Sequence, residues 1–180
     1  MGCWETLLFC CAMLVCEKDT IPLQISAPKV VDAFVVGQPH RKAEWETTPS
    51  VRICEESGVS FIRITQAVRY WEMLGYEFDD ISKDGATVCA PPRYGEIVVR
   101  LPDGTFNDNH IASTRLYTRI SSEKIIKAQI HIFPHSATKA RVLEHEIGHA
   151  LGWSHYPQRY HIMHPTWLYG GFGSQGLRKR

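Results

Sequence analysis

Apolar positions change period several times along this chain, and each change predicts an element. Phe61, Ile64, Ala67, Val68, Trp71 and Leu74 recur at steps of three and four. Ser60–Leu74 therefore reads as an amphipathic helix that Gly75 can end. Elsewhere the apolar residues come in short runs. Lys29–Val36, Val51–Cys54 and Gly95–Leu101 read as strands, the last through Ile97-Val98-Val99. Ile111–Tyr117 and Ala128–Phe133 add two more, with Ile130 and Ile132 alternating in the second. Asp84-Gly85 and Asp103-Gly104 read as turns, and Pro91-Pro92 as a loop. A second helix then runs to Gly152 from a cap at Ser136 or Thr138. Its Leu143, Ile147, Ala150 and Leu151 form an apolar face directed at a core. Strands mixed with two main helices predict an α/β sandwich around a twisted, mostly parallel sheet.

Composition narrows the class. A chain of 180 residues is long enough for one domain with a proper core, and a net charge of +1 gives no electrostatic footprint for nucleic acid. Arg178-Lys179-Arg180 reads as a solvated basic end. The N-terminus differs from the rest. Leu7–Val15 is apolar but far too short to cross a bilayer. It reads as the core of a secretory signal, with Cys16 where a lipidated cysteine would stand. Glu5 and the lack of Lys or Arg before it depart from that pattern, and Gly2 with Thr6 also matches a loose N-myristoylation pattern. The expected organisation is a targeting segment at 1–16, a linker at 17–28 and a single domain at 29–180. The protein is then secreted or extracytoplasmic, touching a membrane only through an N-terminal lipid as a surface lipoprotein. Cys3, Cys10, Cys11 and Cys16 fall inside the targeting segment. Cys54 and Cys89 remain, either as one disulfide of an oxidising compartment or as two buried thiols.

The chemistry sits in HEIGHALGWSH, His145 to His155, and in HIMHP, His161 to Pro165. Residues four apart share a helix face, so His145 and His149 can bind one metal ion. Glu146 lies about 100° around the helix, placed to hold a water without being a ligand. Gly152 lets the chain turn off the helix, which brings His155 back as a third nitrogen. Three protein ligands leave the fourth position of a tetrahedral zinc open, the mark of a catalytic site. A surface salt-bridge partner is the plain alternative for Glu146, and a histidine-rich surface helix for the whole string. His131, His135, His161 and His164 read as surface or neighbouring groups rather than ligands. Tyr156 and Tyr160 are candidates to stabilise an oxyanion.

HExxHxxGxxH followed by Ile162-Met163 resembles the metzincin clan of zinc endopeptidases, and the short gap to Met163 with its Met-x-Pro ending is most similar to the matrixin branch. The resemblance implies a zincin-like α/β fold. In it a mixed, mostly parallel sheet has one antiparallel edge strand and packs on two main helices, the second carrying the zinc ligands. By position the edge strand is Ile111–Tyr117, which would bind extended peptide through Ile111, Ser113 and Arg115. Met163 would lie beneath the metal in a tight turn without binding it, and Pro165, Thr166 and Trp167 would line the pocket beyond the scissile bond. One inhibitory motif of the branch is not met, because Tyr94 in Ala90–Gly95 stands where a zinc-blocking cysteine would be.

What the resemblance implies is hydrolysis of peptide bonds with one Zn2+ and Glu146 as general base and acid. The expected partner is a peptide or protein substrate, and the expected state a monomer. A zinc hydrolase of cell-wall peptides and a non-catalytic zinc-fold binding protein are the alternatives. Calcium has no support beyond the oxygen-rich Asp79-Asp80 and Asp103–Asp108 loops, which ordinary turns explain equally well.

Overall fold

Among the described residues five strands make one mixed sheet: β1 (Ser50–Cys54), β2 (Ile81–Asp84), β3 (Glu96–Arg100), β4 (Ala112–Thr118) and β5 (Ile125–Ile132). Their order is β2-β1-β3-β5-β4, parallel throughout except for the antiparallel β4–β5 pair at one edge. The structure is a computed structural model that describes residues 37–85, 89–102 and 111–179. The expected targeting segment at 1–16, the expected linker at 17–28, the strand expected at Lys29–Val36 and the expected Asp103-Gly104 turn lie outside the described residues.

Strand alternation divides the side chains between two faces. Val51, Ile53, Ile97, Val99, Ala128, Ile130 and Ile132 point to the main core, every one of them fully buried. The opposite face carries Arg52, Cys54, Glu96, Val98, Gln129 and His131, also buried. Arg52 and Glu96 are paired there. Arg52 Nε donates to Glu96 Oε1 at 2.7 Å, and its terminal nitrogens reach Asp84 at 2.9 Å and the Ala90 and Pro91 carbonyls. One guanidinium thus ties β1 to β2, to β3 and to the loop at 89–91. Cys54 and Cys89 are joined in a disulfide on the same face, with Cα atoms 5.6 Å apart, and pack on Val98.

Strand β2 has no counterpart in the sequence-based expectations, which put only a turn at Asp84-Gly85. Ile-Ser-Lys-Asp has one apolar residue and no alternation, because it is an edge strand of which no residue is fully buried. Its pairing with β1 comes from the sheet, not from its own composition.

Among the described residues three α-helices accompany the sheet, and the two longer ones share the core-facing side. Helix α1 (Phe61–Glu72) buries Ile64, Ala67, Val68 and Trp71, and the Ser60 hydroxyl accepts from Arg63 N at 3.2 Å to cap its start. The second long helix starts later than expected. The stretch read as one helix from Ser136 or Thr138 is a single turn, α2 (Pro134–Ala137), followed after a break by α3 (Val142–Ala150). Ser136 lies inside α2 and Thr138 closes it, so neither caps α3. The break is at Arg141, whose φ of 72° is left-handed and cannot continue a right-handed helix. Its guanidinium stacks on Trp167 and donates to the Gly170 carbonyl, so later chain holds this residue in place.

Helices α1 and α3 are locked together by an ion pair between half-buried Arg63 and buried Glu144. Arg63 donates to both oxygens of Glu144, at 2.9 and 2.5 Å, and Trp71 Nε1 donates to the Glu144 carbonyl at 2.8 Å. The far end of α3 is satisfied by the segment at 41–45. Arg41 Nε donates to Leu151 O at 2.9 Å and Trp45 Nε1 to Ala150 O at 2.8 Å, taking up carbonyls that a helix end leaves bare. Leu177 is fully buried and Lys179 N bonds Leu74 O, so the chain end is pinned while the Arg178 and Lys179 side chains stay exposed. Among the described residues no helix is long and apolar enough to cross a membrane.

Candidate metal and catalytic site

Helix periodicity puts His145 and His149 one turn apart, and the turn after α3 returns His155 to them. Gly152 makes that turn with a φ of +97°, and a side chain there would run into the Ala43 carbonyl as well. A ligand nitrogen from each of the three imidazoles lies within 4.8 Å of the others. Their ring centroids are 4.6 to 5.3 Å apart.

The hydrogen bonds of these rings decide what the cluster can hold. His145 Nδ1 donates to Ile162 O and His149 Nδ1 to Trp153 O, both at 2.7 Å. A carbonyl only accepts, so each Nδ1 carries a proton and each neutral ring presents a bare lone pair at Nε2. The two Nε2 atoms face one another at 3.0 Å. Two lone pairs that close repel unless a cation lies between them. Nitrogens about 2.0–2.1 Å from a tetrahedral zinc lie about 3.3 Å from each other, so the pair is close to that spacing. Burial also pushes the His145 and His149 pKa down to about 4 and about 3, which keeps both in the neutral form a metal requires. The donor set fits one zinc ion.

Glu146 projects between this cluster and β4. It is buried, and burial raises its pKa to about 7 against the opposing hydrogen bond from Thr114. Thr114 Oγ1 lies 2.7 Å from Glu146 Oε2 and 3.1 Å from its carbonyl oxygen. Both residues line an open cleft of about 670 Å³.

The turn under the cluster is built with equal care. Met163 is fully buried beneath α3. A Cβ at Gly148 would overlap Met163 Sδ and come within 2.6 Å of Trp71 Cζ2, so the glycine is what lets both side chains seat against the helix. His161 is buried too. Its Nδ1 accepts from Met163 N at 3.1 Å and its Nε2 lies 3.1 Å from Gln175 O, fixing the turn from outside the histidine cluster.

Other candidates fall on both sides of the line. Ile111, Ser113, Pro165 and Trp167 line the cleft. Arg115 does not, and its side chain is exposed. Tyr156 is also removed from the chemistry, since its hydroxyl donates to Gly37 O at 3.0 Å. Tyr160 is exposed and outside the cleft wall. His131 lies on the buried far face of the sheet against Gln129, and His135 stacks on Phe133. His164 lines the cleft but is not one of the three converging imidazoles. Thr114 and Gly148 were not legible as site residues, since each acts through contacts made in the folded chain, while His161 was read as a surface or neighbouring group and is buried beside Met163. Compared with known protein families and with curated proteins, the chain finds no match.

Proposed function

We propose that this chain is a zinc-dependent endopeptidase of metzincin type, closest to the matrixin branch, with a zincin-like fold. The observation that supports it most is the convergence of three imidazoles, two with their Nδ1 protons committed to carbonyls, beside a buried carboxylate in the wall of an open cleft. His145, His149 and His155 hold the ion. Zinc in such a set polarises a carbonyl and brings the pKa of water toward neutrality.

The chain's own residues do the rest. Glu146 takes the proton of the attacking water and delivers it to the leaving amine, a cycle suited to a carboxyl whose pKa lies near the working pH. The side of β4 away from β5 offers backbone groups to which an extended substrate can add as a further strand. Trp167 and Pro165 border the same cleft and shape the space for a substrate side chain. We place the enzyme outside the cytoplasm as a monomer, and the Cys54–Cys89 disulfide supports an oxidising compartment.

Metal analysis and a single substitution test this reading. The purified protein should take up one zinc per chain, and His149→Ala should abolish that uptake. Glu146→Gln should keep the zinc and lose peptide hydrolysis by about 100-fold or more, the scale of a missing general base. A wild-type protein that binds no zinc would overturn the proposal.

A further inference from the structure

We infer that Thr114 is a positioning residue for Glu146: its hydroxyl holds one carboxylate oxygen, so the other alone receives the proton of the attacking water. The inference rests on the peptidase reading above and assigns a task to a residue on the sheet edge, far from the histidine motif in sequence.

Three observations carry it. Thr114 Oγ1 is 2.7 Å from Glu146 Oε2, a strong distance for a hydroxyl donating to a charged acceptor. The Glu146 carbonyl, at 3.1 Å, is the farther and uncharged competitor for the same proton. Glu146 Oε1 has no hydrogen-bond partner among the described residues, although Glu146 borders the cleft. The two oxygens are therefore unequal before any substrate arrives.

The hydroxyl is itself held firmly. Thr114 pairs with Ile130 in the β4–β5 ladder, so its backbone is fixed by the sheet. As a β-branched residue it has a stiff χ1, which fixes the direction of Oγ1. A glutamate on a helix has three free torsions, and without this contact its carboxylate would sample rotamers in which neither oxygen faces the water. With it, Oε1 accepts the proton from water and gives it to the leaving nitrogen, while Thr114 keeps donating to Oε2. Thr114 gains and loses no proton. A substrate strand laid on β4 would also register against the element that orients the base.

The test compares Thr114→Val, Thr114→Ser and Glu146→Gln with the wild type, each loaded with zinc, on an internally quenched peptide that the wild type cuts. Thr114→Val keeps the shape and removes the donor. It should bind one zinc, melt within a few degrees of the wild type and keep its KM. Its kcat should fall about 10- to 100-fold, the effect of one hydrogen bond to a charged group. The acid limb of its pH profile should move to higher pH, because the ionised carboxylate has lost a donor. Thr114→Ser keeps the donor and should recover most of kcat.

Unchanged kcat in Thr114→Val overturns the inference. So does a Thr114→Ser variant as impaired as Thr114→Val, or a loss of kcat matched by lost zinc, any of which assigns Thr114 a merely structural role. If Thr114→Val does not fold, Thr114→Ala against Thr114→Ser decides on the same readouts. A zinc-loaded wild type that cuts no peptide overturns the peptidase reading, and this inference with it.

Discussion

Gly148→Ala sets local helix preference against packing. Glycine inside a helix costs about 1 kcal/mol relative to alanine, so propensity alone makes the variant more stable. The surroundings oppose it. The new Cβ would sit 2.6 Å from Trp71 Cζ2 and overlap Met163 Sδ, with the Met163 methyl at 3.1 Å. Carbon atoms rest at about 3.5–4.0 Å, so about 1 Å must be found on the Trp71 side. Trp71 has little room to give it. It is fully buried, bonded through Nε1 to Glu144 O at 2.8 Å, and set edge-on to Tyr70 and Tyr76 at 5.6 and 5.4 Å. Overpacking costs about 1–3 kcal/mol, and two buried neighbours put this site at about 3. Subtracting the helix gain leaves a net loss of about 2 kcal/mol, a fall in Tm of about 4–8 °C for a domain of this size. Thermal melts of both proteins in chelator read the packing effect without a metal contribution. A Tm equal to or above wild type would refute the argument that Gly148 is there to seat Met163 and Trp71.

Removing one partner of the part-buried Arg63–Glu144 pair should be comparably damaging. Glu144→Ala leaves the half-buried guanidinium without its partner and should cost about 1–3 kcal/mol, read by urea unfolding. Replacing both cysteines of the Cys54–Cys89 disulfide opens a link across a sequence separation of 35 residues and should cost up to about 4 kcal/mol in the chain-entropy model. The metal-free protein should lose stability as pH falls from about 6.5 toward 4. His145, His149, His155 and His161 all have pKa values lowered chiefly by burial, to about 4 and about 3 for the first two. In that window the unfolded chain binds protons that the fold refuses, so stability present above 6.5 is lost on acidification. Glu146 acts oppositely. Its raised pKa of about 7 favours the fold below the ordinary value of 4.5 and loses that advantage as pH rises to 7. Four imidazoles outweigh one carboxyl, so a Tm that stayed level or rose toward pH 4 would contradict the buried-histidine picture.

Legibility in the sequence followed the range of the forces involved. Helix α1 could be read because its period and Gly75 are local signals, and Ser60 proves to cap its start. Strands β3 and β5 showed themselves as apolar runs because they are central and buried on both faces. Strand β2 and the break at Arg141 did not, since one depends on pairing with β1 and the other on contacts with Trp167 and Gly170. The same division runs through the site. Spacing alone placed His145, Glu146 and His149 on neighbouring helix positions. Thr114 lies 32 residues from Glu146, and nothing in its local sequence marks it. Arg115 is exposed and lies outside the cleft wall although Ser113, on the same strand face, borders it, a difference that strand periodicity alone does not carry.

Incubating the purified, zinc-loaded protein with a mixed library of unstructured peptides, and mapping the cuts by mass spectrometry, tests the central claim most directly. The account predicts internal cleavage that a chelator stops and added zinc restores, with none from Glu146→Gln carrying the same zinc. A protein with one zinc bound at His145, His149 and His155 that left every peptide intact would contradict it.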